Sequence, residues 1–264
     1  MKIKIILTIF LILADVTISH SSEIITMKGT GMTPDGSPFM LRGKLTKPQG
    51  DGPFPAIVCL HGCGGISRRD DTWAERLSSW GYVALQVDSF GPRDQSNICT
   101  HSRLIPPEVR AQDAHDAKAF LSDLPFIDEE RIAVMGWSHG GWTTLYTVSH
   151  EISIRNRTTP FKAAVAFYPY CDLSLSGLDA PLLILIGSYD DWTPAEKCSR
   201  RMPSRKTSPE VILKVYPKAY HSFDAEGMDR YARGARGSHR MLYHPQAAAD
   251  ATVRVRDFLD KHLK

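Results

Sequence analysis

Residues 131–141 read RIAVMGWSHGG, an aliphatic run (Ile132 to Met135) that passes directly into Gly136-Trp137-Ser138-His139-Gly140 and a further Gly141. The run before Ser138 has strand character. The stretch after it, His139–His150, has helical character, so the serine falls on the turn between them. A nucleophile on a sharp strand-to-helix turn needs small flanking residues, because a Cβ there would strike neighbouring backbone. The turn lifts the hydroxyl clear of the sheet. The helix start beside it favours negative charge that develops during a reaction. The alternative is a glycine-rich helix start that carries no chemistry.

Working outward, similar aliphatic and β-branched runs recur at 54–61 (FPAIVCLH), 82–88 (YVALQVD), 163–168 (AAVAFY), 181–187 (PLLILIG) and 211–216 (VILKVY). Helical patterns lie between them at 71–80, 107–124, 139–150 and 194–202, with a last one at 246–263. Strands that are apolar on both faces and alternate with helices imply a mainly parallel sheet covered on both sides. Residues 23–47 read as an antiparallel hairpin turning around Pro34-Asp35-Gly36. The expected fold class is therefore α/β, with a central sheet of about eight strands and helices on both faces. No repeat or linker divides the chain, so residues 23–264 read as one domain. Two long loops, 89–106 and 221–245, follow the carboxyl ends of strands. Open α/β sheets bind ligands at that edge.

The chain has 264 residues, 42% hydrophobic and 23% charged, with a net charge of +3. That charge is too small to argue for nucleic acid or an anionic membrane. Lys2 and Lys4 precede a short apolar run, Ile5 to Ala14. This reads as a signal peptide over residues 1–22, too short to span a bilayer. Its cleavage site is open, Thr17 and Ser19 offering one pair of small residues, and a buried first helix is the competing reading. Export to a periplasmic or extracellular compartment would permit disulfides. Of the five cysteines, Cys171 and Cys198 follow neighbouring strands and form the first candidate pair, with simple buried thiols as the alternative; Cys63 and Cys99 form a weaker second pair. Cys59, inside AIVCL, reads as a buried free thiol. No C-x-x-C pair supports a zinc cluster, and no metal or cofactor is expected.

A serine needs a base, and the base needs an acid to orient it. In this architecture the chain order is serine, acid, histidine. Asp190 and Asp191 are the acids at a downstream strand end, and the turn before Thr193-Pro194 leaves room for only one to face the histidine. Thr193 reads as the cap of the helix that follows, with Pro194 in its first turn. His221 directly follows the strand VILKVY; His239 and His244 lie in a polar loop where a solvated role is expected, and His262 is on the terminal helix. The backbone N–H groups of Cys63, in the run Gly62-Cys63-Gly64-Gly65, and of His139 are the candidate oxyanion donors. A phosphate-binding loop is disfavoured, since no P-loop pattern is present.

The segments LHGCGG (60–65), VDSFGPR (87–93), MGWSHGG (135–141), FYPYC (167–171), GSYDDWTPAEKC (187–198) and YPKAYHSFD (216–224) together resemble the dienelactone hydrolase family of α/β-hydrolases. The resemblance spans nearly all of the chain after its first segment. It implies the α/β-hydrolase fold and a triad of Ser138, Asp190 and His221. The family pattern places the acid at Asp190. Three departures stand out. The type enzyme uses a cysteine nucleophile where this chain has Ser138. It has a glutamate where this chain reads His61-Gly62, and a carboxylate-gripping arginine where this chain has Ala225. Hydrolysis carries over and dienelactone specificity does not. Arg93 is a possible substrate contact, with a solvated loop role as the alternative. The expected activity is hydrolysis of a small-molecule carboxylic ester or lactone through an acyl-enzyme. The alternatives are a peptidase of the prolyl-oligopeptidase kind, an acyltransferase, or a catalytically silent binding fold.

Overall fold

The computed structural model describes residues 21–33, 35–156, 159–204 and 209–264. The expected signal segment therefore lies outside the described residues, except for Ser21 and Ser22, which pair with Lys47 and Thr46.

Ten strands and six α-helices are described. An antiparallel hairpin, β1 (Ser21–Met32) and β2 (Pro38–Lys47), opens the chain. Then come β3 (Phe54–Leu60), α1 (Arg68–Ser79), β4 (Val83–Asp88), α2 (Pro107–Ser122), β5 (Ile127–Trp137), α3 (His139–Thr147) and α4 (His150–Asn156). The second half holds β6 (Ala164–Phe167), β7 (Leu182–Gly187), α5 (Ala195–Ser199), β8 (Val211–Tyr216), β9 (Asp229–Gly234), β10 (Gly237–Leu242) and α6 (Pro245–Leu263). Eight strands form one sheet in the order β1-β2-β4-β3-β5-β6-β7-β8. The last six are mutually parallel, as their unbroken apolar character requires. Residues 182–187 of β7, for instance, are all buried. Helices α2, α3 and α4 pack against one another. Helices α1 and α6 meet elsewhere, where Lys264 donates to the Trp80 carbonyl and Arg256 lies over the Trp80 ring.

The register gathers the chemistry. Leu60 pairs with Gly136, Trp137 with Phe167 and Gly187 with Tyr216. The loops after β3, β5, β6, β7 and β8 therefore leave the sheet along one edge. At its centre Ser138 adopts φ 55° and ψ −112° between β5 and α3. Two glycines allow this. A Cβ on Gly140 would lie 1.9 Å from the Leu60 carbonyl oxygen, and one on Gly136 would lie 2.2 Å from that of Gly140.

Several expected boundaries move. Helix α1 begins at Arg68 rather than Asp71, because Ser67 and Asp70 cap it reciprocally. The helix expected over 139–150 ends at Thr147, and α4 continues on its own. The helix expected over 194–202 is only α5. Pro194 is its cap residue, and Thr193 uses its hydroxyl elsewhere. The loop expected over 221–245 contains the β9–β10 hairpin, whose two-residue turn is Ala235-Arg236.

Gly140→Ala should disrupt this packing, since backbone atoms cannot yield cheaply to the new Cβ. Overpacking typically costs about 1–3 kcal/mol. The expected result is a clear fall in Tm or loss of soluble protein. Gly177→Ala, where nothing lies within 4 Å of the new Cβ, should melt like the parent.

Candidate active site

Ser138, Asp190 and His221 come from the ends of β5, β7 and β8, and the structure brings them together. His221 Nε2 lies 2.9 Å from Ser138 Oγ. His221 Nδ1 lies 2.7 Å from Asp190 Oδ2. Both the histidine and the aspartate are buried. A buried carboxylate must be surrounded by donors, and Asp190 is. Its Oδ1 accepts from the backbone N–H groups of Trp192, at 3.0 Å, and Thr193, at 2.8 Å. The Thr193 hydroxyl sits 2.9 Å from both Asp190 Oδ2 and the Tyr168 carbonyl and donates to one at a time. With Asp190 accepting at Nδ1–H, the neutral imidazole carries its lone pair on Nε2, toward the serine hydroxyl. Tyr168 and Trp192 flank the imidazole, with centroids 4.5 and 5.1 Å away.

Asp191 is exposed and does not reach His221. Its carboxylate lies 3.4 Å from His239 Nδ1, an ion-pair distance without hydrogen-bond geometry.

A second carboxylate, Asp224, holds the histidine loop. Its Oδ2 accepts from the indoles of Trp73, at 2.9 Å, and Trp137, at 3.0 Å, and its Oδ1 accepts from the Tyr168 hydroxyl at 2.7 Å. Arg69 donates to that same hydroxyl at 3.1 Å. Burial first, and the nearby Asp224 charge with it, push the Tyr168 phenol well above its ordinary range. The loop is thereby tied to α1, β5 and the end of β6. Three non-glycine residues around this cluster hold positive φ: Ser138, Tyr168 (39°) and Ser222 (59°). Such strain concentrates where surrounding structure dictates an orientation.

The cleft over Ser138 has a volume of about 520 Å³. Cys63, Trp142, Tyr170, Trp192, Lys197 and Arg236 are among its walls. The Cys63 N–H has no backbone acceptor among the described residues. The N–H of His139, the first residue of α3, is one that a helix start leaves without an intrahelical partner. Cys63 is bonded to Cys99 and Cys171 to Cys198, and Cys59 remains a buried thiol. Among the described residues no group of histidine, cysteine and carboxylate side chains could hold a metal.

Three expectations need correction. Arg93 does not line the cleft; it donates to both oxygens of Asp113, at 2.8 and 2.9 Å, and to the Ser89 carbonyl. The cleft arginines are Arg103 and Arg236. His239 is not solvated; it is buried, stacks on Trp192 at 4.9 Å and lines the cleft, because the β9–β10 hairpin folds over the site. His244 caps α6, its Nδ1 accepting from the Ala247 N–H. Reading the sequence missed Thr193, Trp192, Tyr168 and Asp224 as site residues. Only Thr193 left a signal, a hydroxyl three residues after an acid.

The fold is that of an α/β-hydrolase, with Ser138, His221 and Asp190 joined by hydrogen bonds at the open edge of its sheet. The dienelactone hydrolase family model matches residues 41–263, and the chain belongs to that family. Among relatives, a Bradyrhizobium sp. protein named "Probable 2-oxo-3-(5-oxofuran-2-ylidene)propanoate lactonase" is 23% identical over 209 residues, 71% of this chain and 80% of that one. The dienelactone hydrolase of Anabaena variabilis superposes with a TM-score of 0.66 at 19% identity, over 93% of this chain and 99% of that chain. An acylaminoacyl peptidase of Pyrococcus horikoshii superposes with a TM-score of 0.65 at 17% identity, and this chain spans only 42% of it.

The site carries a pH signature through His139. Burial first, and then the neighbouring Arg110 charge, press its pKa from 6.5 down to about 3. The folded chain keeps it neutral while the unfolded chain protonates below 6.5. Its contribution to stability is thus full above that pH and is lost as pH falls toward 3. Unfolding free energy should decline by up to about 1.4 kcal/mol per pH unit for each such histidine. Urea titrations between pH 7 and 4 should show a shallower slope in His139→Asn.

Proposed function

We propose that this protein hydrolyses small to medium carboxylic esters or lactones, with Ser138 as nucleophile, His221 as general base and then acid, and Asp190 as its orienting carboxylate. The observation that carries the reading is the continuous run of hydrogen bonds from Ser138 Oγ through His221 to Asp190 at the open edge of the sheet. Ser138 Oγ attacks the acyl carbon as its proton passes to His221 Nε2. The carbonyl electrons collect on oxygen, facing the backbone N–H groups of Cys63 and His139. Collapse expels the alcohol, which takes the proton from His221, and leaves an acyl ester on Ser138. Water, losing a proton to His221, attacks that ester to give a second tetrahedral species, whose collapse frees the acid as Ser138 Oγ takes the proton back from His221. Asp190 stays ionised throughout and balances the imidazolium.

Family membership and the lactonase relative support the ester or lactone class. A cleft of about 520 Å³ suits a ligand of modest size. The two disulfides support folding in an oxidising compartment, in keeping with export. The likeness to an acylaminoacyl peptidase favours a second reading, an amide or peptide substrate. A panel of p-nitrophenyl esters, lactones and aryl amides separates the two, and amide turnover exceeding ester turnover would reverse their order.

Ser138→Ala should lose nearly all hydrolysis while keeping the parent's melting curve, and fluorophosphonate labelling should vanish with it. Asp190→Asn should cost up to about 10,000-fold in kcat, and Asp191→Asn should cost far less. Labelling that persists in Ser138→Ala would end the assignment.

A further inference from the structure

Arg110 is a buried charge that the mechanism does not use. It lies on α2, fully buried, and neither of its hydrogen bonds goes to a carboxylate. Its Nη1 donates to His139 Nδ1 at 2.8 Å, and its Nη2 donates to the His61 carbonyl, also at 2.8 Å. Its Nε has no partner among the described residues. The guanidinium carbon lies 4.9 Å from the centroid of the Phe90 ring, which also meets the His61 ring edge-on. Asp113, the neighbouring carboxylate, is engaged in a two-point pair with Arg93. Burying a guanidinium against neutral acceptors costs several kcal/mol. Arg110 is thus an expensive residue for packing alone, and a nonpolar side chain would fill the same space without that penalty.

Its two acceptors are informative. His61 immediately precedes Gly62-Cys63, so its carbonyl marks the point where β3 turns toward the Cys63 N–H. His139 follows the nucleophile and carries the other candidate oxyanion donor on its own backbone. A guanidinium can only donate, so His139 Nδ1 must accept and its proton must sit on Nε2. From there it donates to the Ser102 carbonyl at 2.8 Å. The chain of donors therefore runs one way, from Arg110 through His139 to the loop whose Ser102 and Arg103 wall the cleft. The Cys63–Cys99 disulfide and the Ile98 N–H bond to the Cys63 carbonyl close the same loop from its other side.

We propose that Arg110 is the positioning residue of the oxyanion hole: one planar guanidinium bridges the strand end that leads to Cys63 and the side chain of His139, and so sets the spacing of the two backbone N–H donors. The proposal rests on the reading of Ser138 as nucleophile. Donors aimed where charge develops act only if their separation is fixed beforehand. The planar fork is what spans both acceptors; a lysine keeps the charge and loses the span.

The test compares Arg110→Lys, Arg110→Met, Arg110→Ala and His139→Asn with the parent enzyme on one p-nitrophenyl ester. His139→Asn keeps the backbone donor and removes the bridge, so it tests the idea even where an Arg110 variant fails to fold. The expected loss is in kcat, roughly 10- to 100-fold, somewhat less than deleting an oxyanion donor outright, with KM changed by less than about threefold. Affinity for a boronic acid, which forms a tetrahedral adduct on the serine, should fall in parallel with kcat. Millimolar methylguanidinium should restore part of kcat in Arg110→Ala and none in His139→Asn. A merely structural role predicts lower Tm with parental kcat and boronate affinity in the folded fraction. That result, or a loss confined to KM, overturns the proposal while leaving the nucleophile assignment standing. Ser138→Ala run alongside tests the underlying reading: hydrolysis surviving there removes both.

Discussion

The rest of the site depends on how closely α3 approaches β3. The Gly140 Cα sits so near the Leu60 carbonyl that no Cβ fits between them. That approach forces the chain to reverse within one residue, and Ser138 takes a positive φ to do it. Once the turn is made, the other positions follow from the register of a parallel sheet. Strands that end level with one another deliver their next residues to the same edge, so Asp190, His221 and Ser138 meet although 83 residues separate Ser138 from His221.

Two carboxylates, the buried Asp190 and the half-buried Asp224, divide the task of holding His221. Asp190 orients the ring and is itself locked by two backbone N–H groups and a hydroxyl. Asp224 never touches the ring. It fixes the loop by accepting from two indoles and a phenol, three donors on three different elements. A carboxylate saturated in this way has one low-energy position, and the loop inherits that precision. Burial makes the Asp190 arrangement strict, since a missing donor would leave charge unpaired in a poorly polarisable interior. On the far side of Ser138, Arg110 is likewise a buried donor, with acceptors on two segments.

Much of the architecture was legible because it is periodic or local. Continuous aliphatic runs alternating with amphipathic ones implied a parallel, doubly covered sheet, and Gly136 to Gly140 marked the turn. His221 could be chosen because it follows a strand, and Asp190 over Asp191 because the family pattern places the acid there. Arg93, His239 and the histidine loop show where that reasoning stops. Arg93 also follows a strand, yet Asp113, twenty residues on, captures it. His239 stands in a polar stretch, yet the β9–β10 hairpin carries it onto Trp192. That hairpin's strands are short and half exposed, and they carry polar residues at most positions, so they lack the apolar pattern that marks a buried strand.

By itself the sequence determined the fold class, the strand–turn–helix around Ser138 and the order of serine, acid and histidine, because each is written in neighbouring residues or in a repeat of hydrophobicity. Only the tertiary structure decided which arginines face the cleft, that His239 is buried, that Asp224 anchors the histidine loop, and that Arg110 reaches His61 and His139 at once. Those are contacts between side chains from distant elements. They are set by the packing of helices on the sheet, and no local pattern encodes which donor will lie opposite which acceptor.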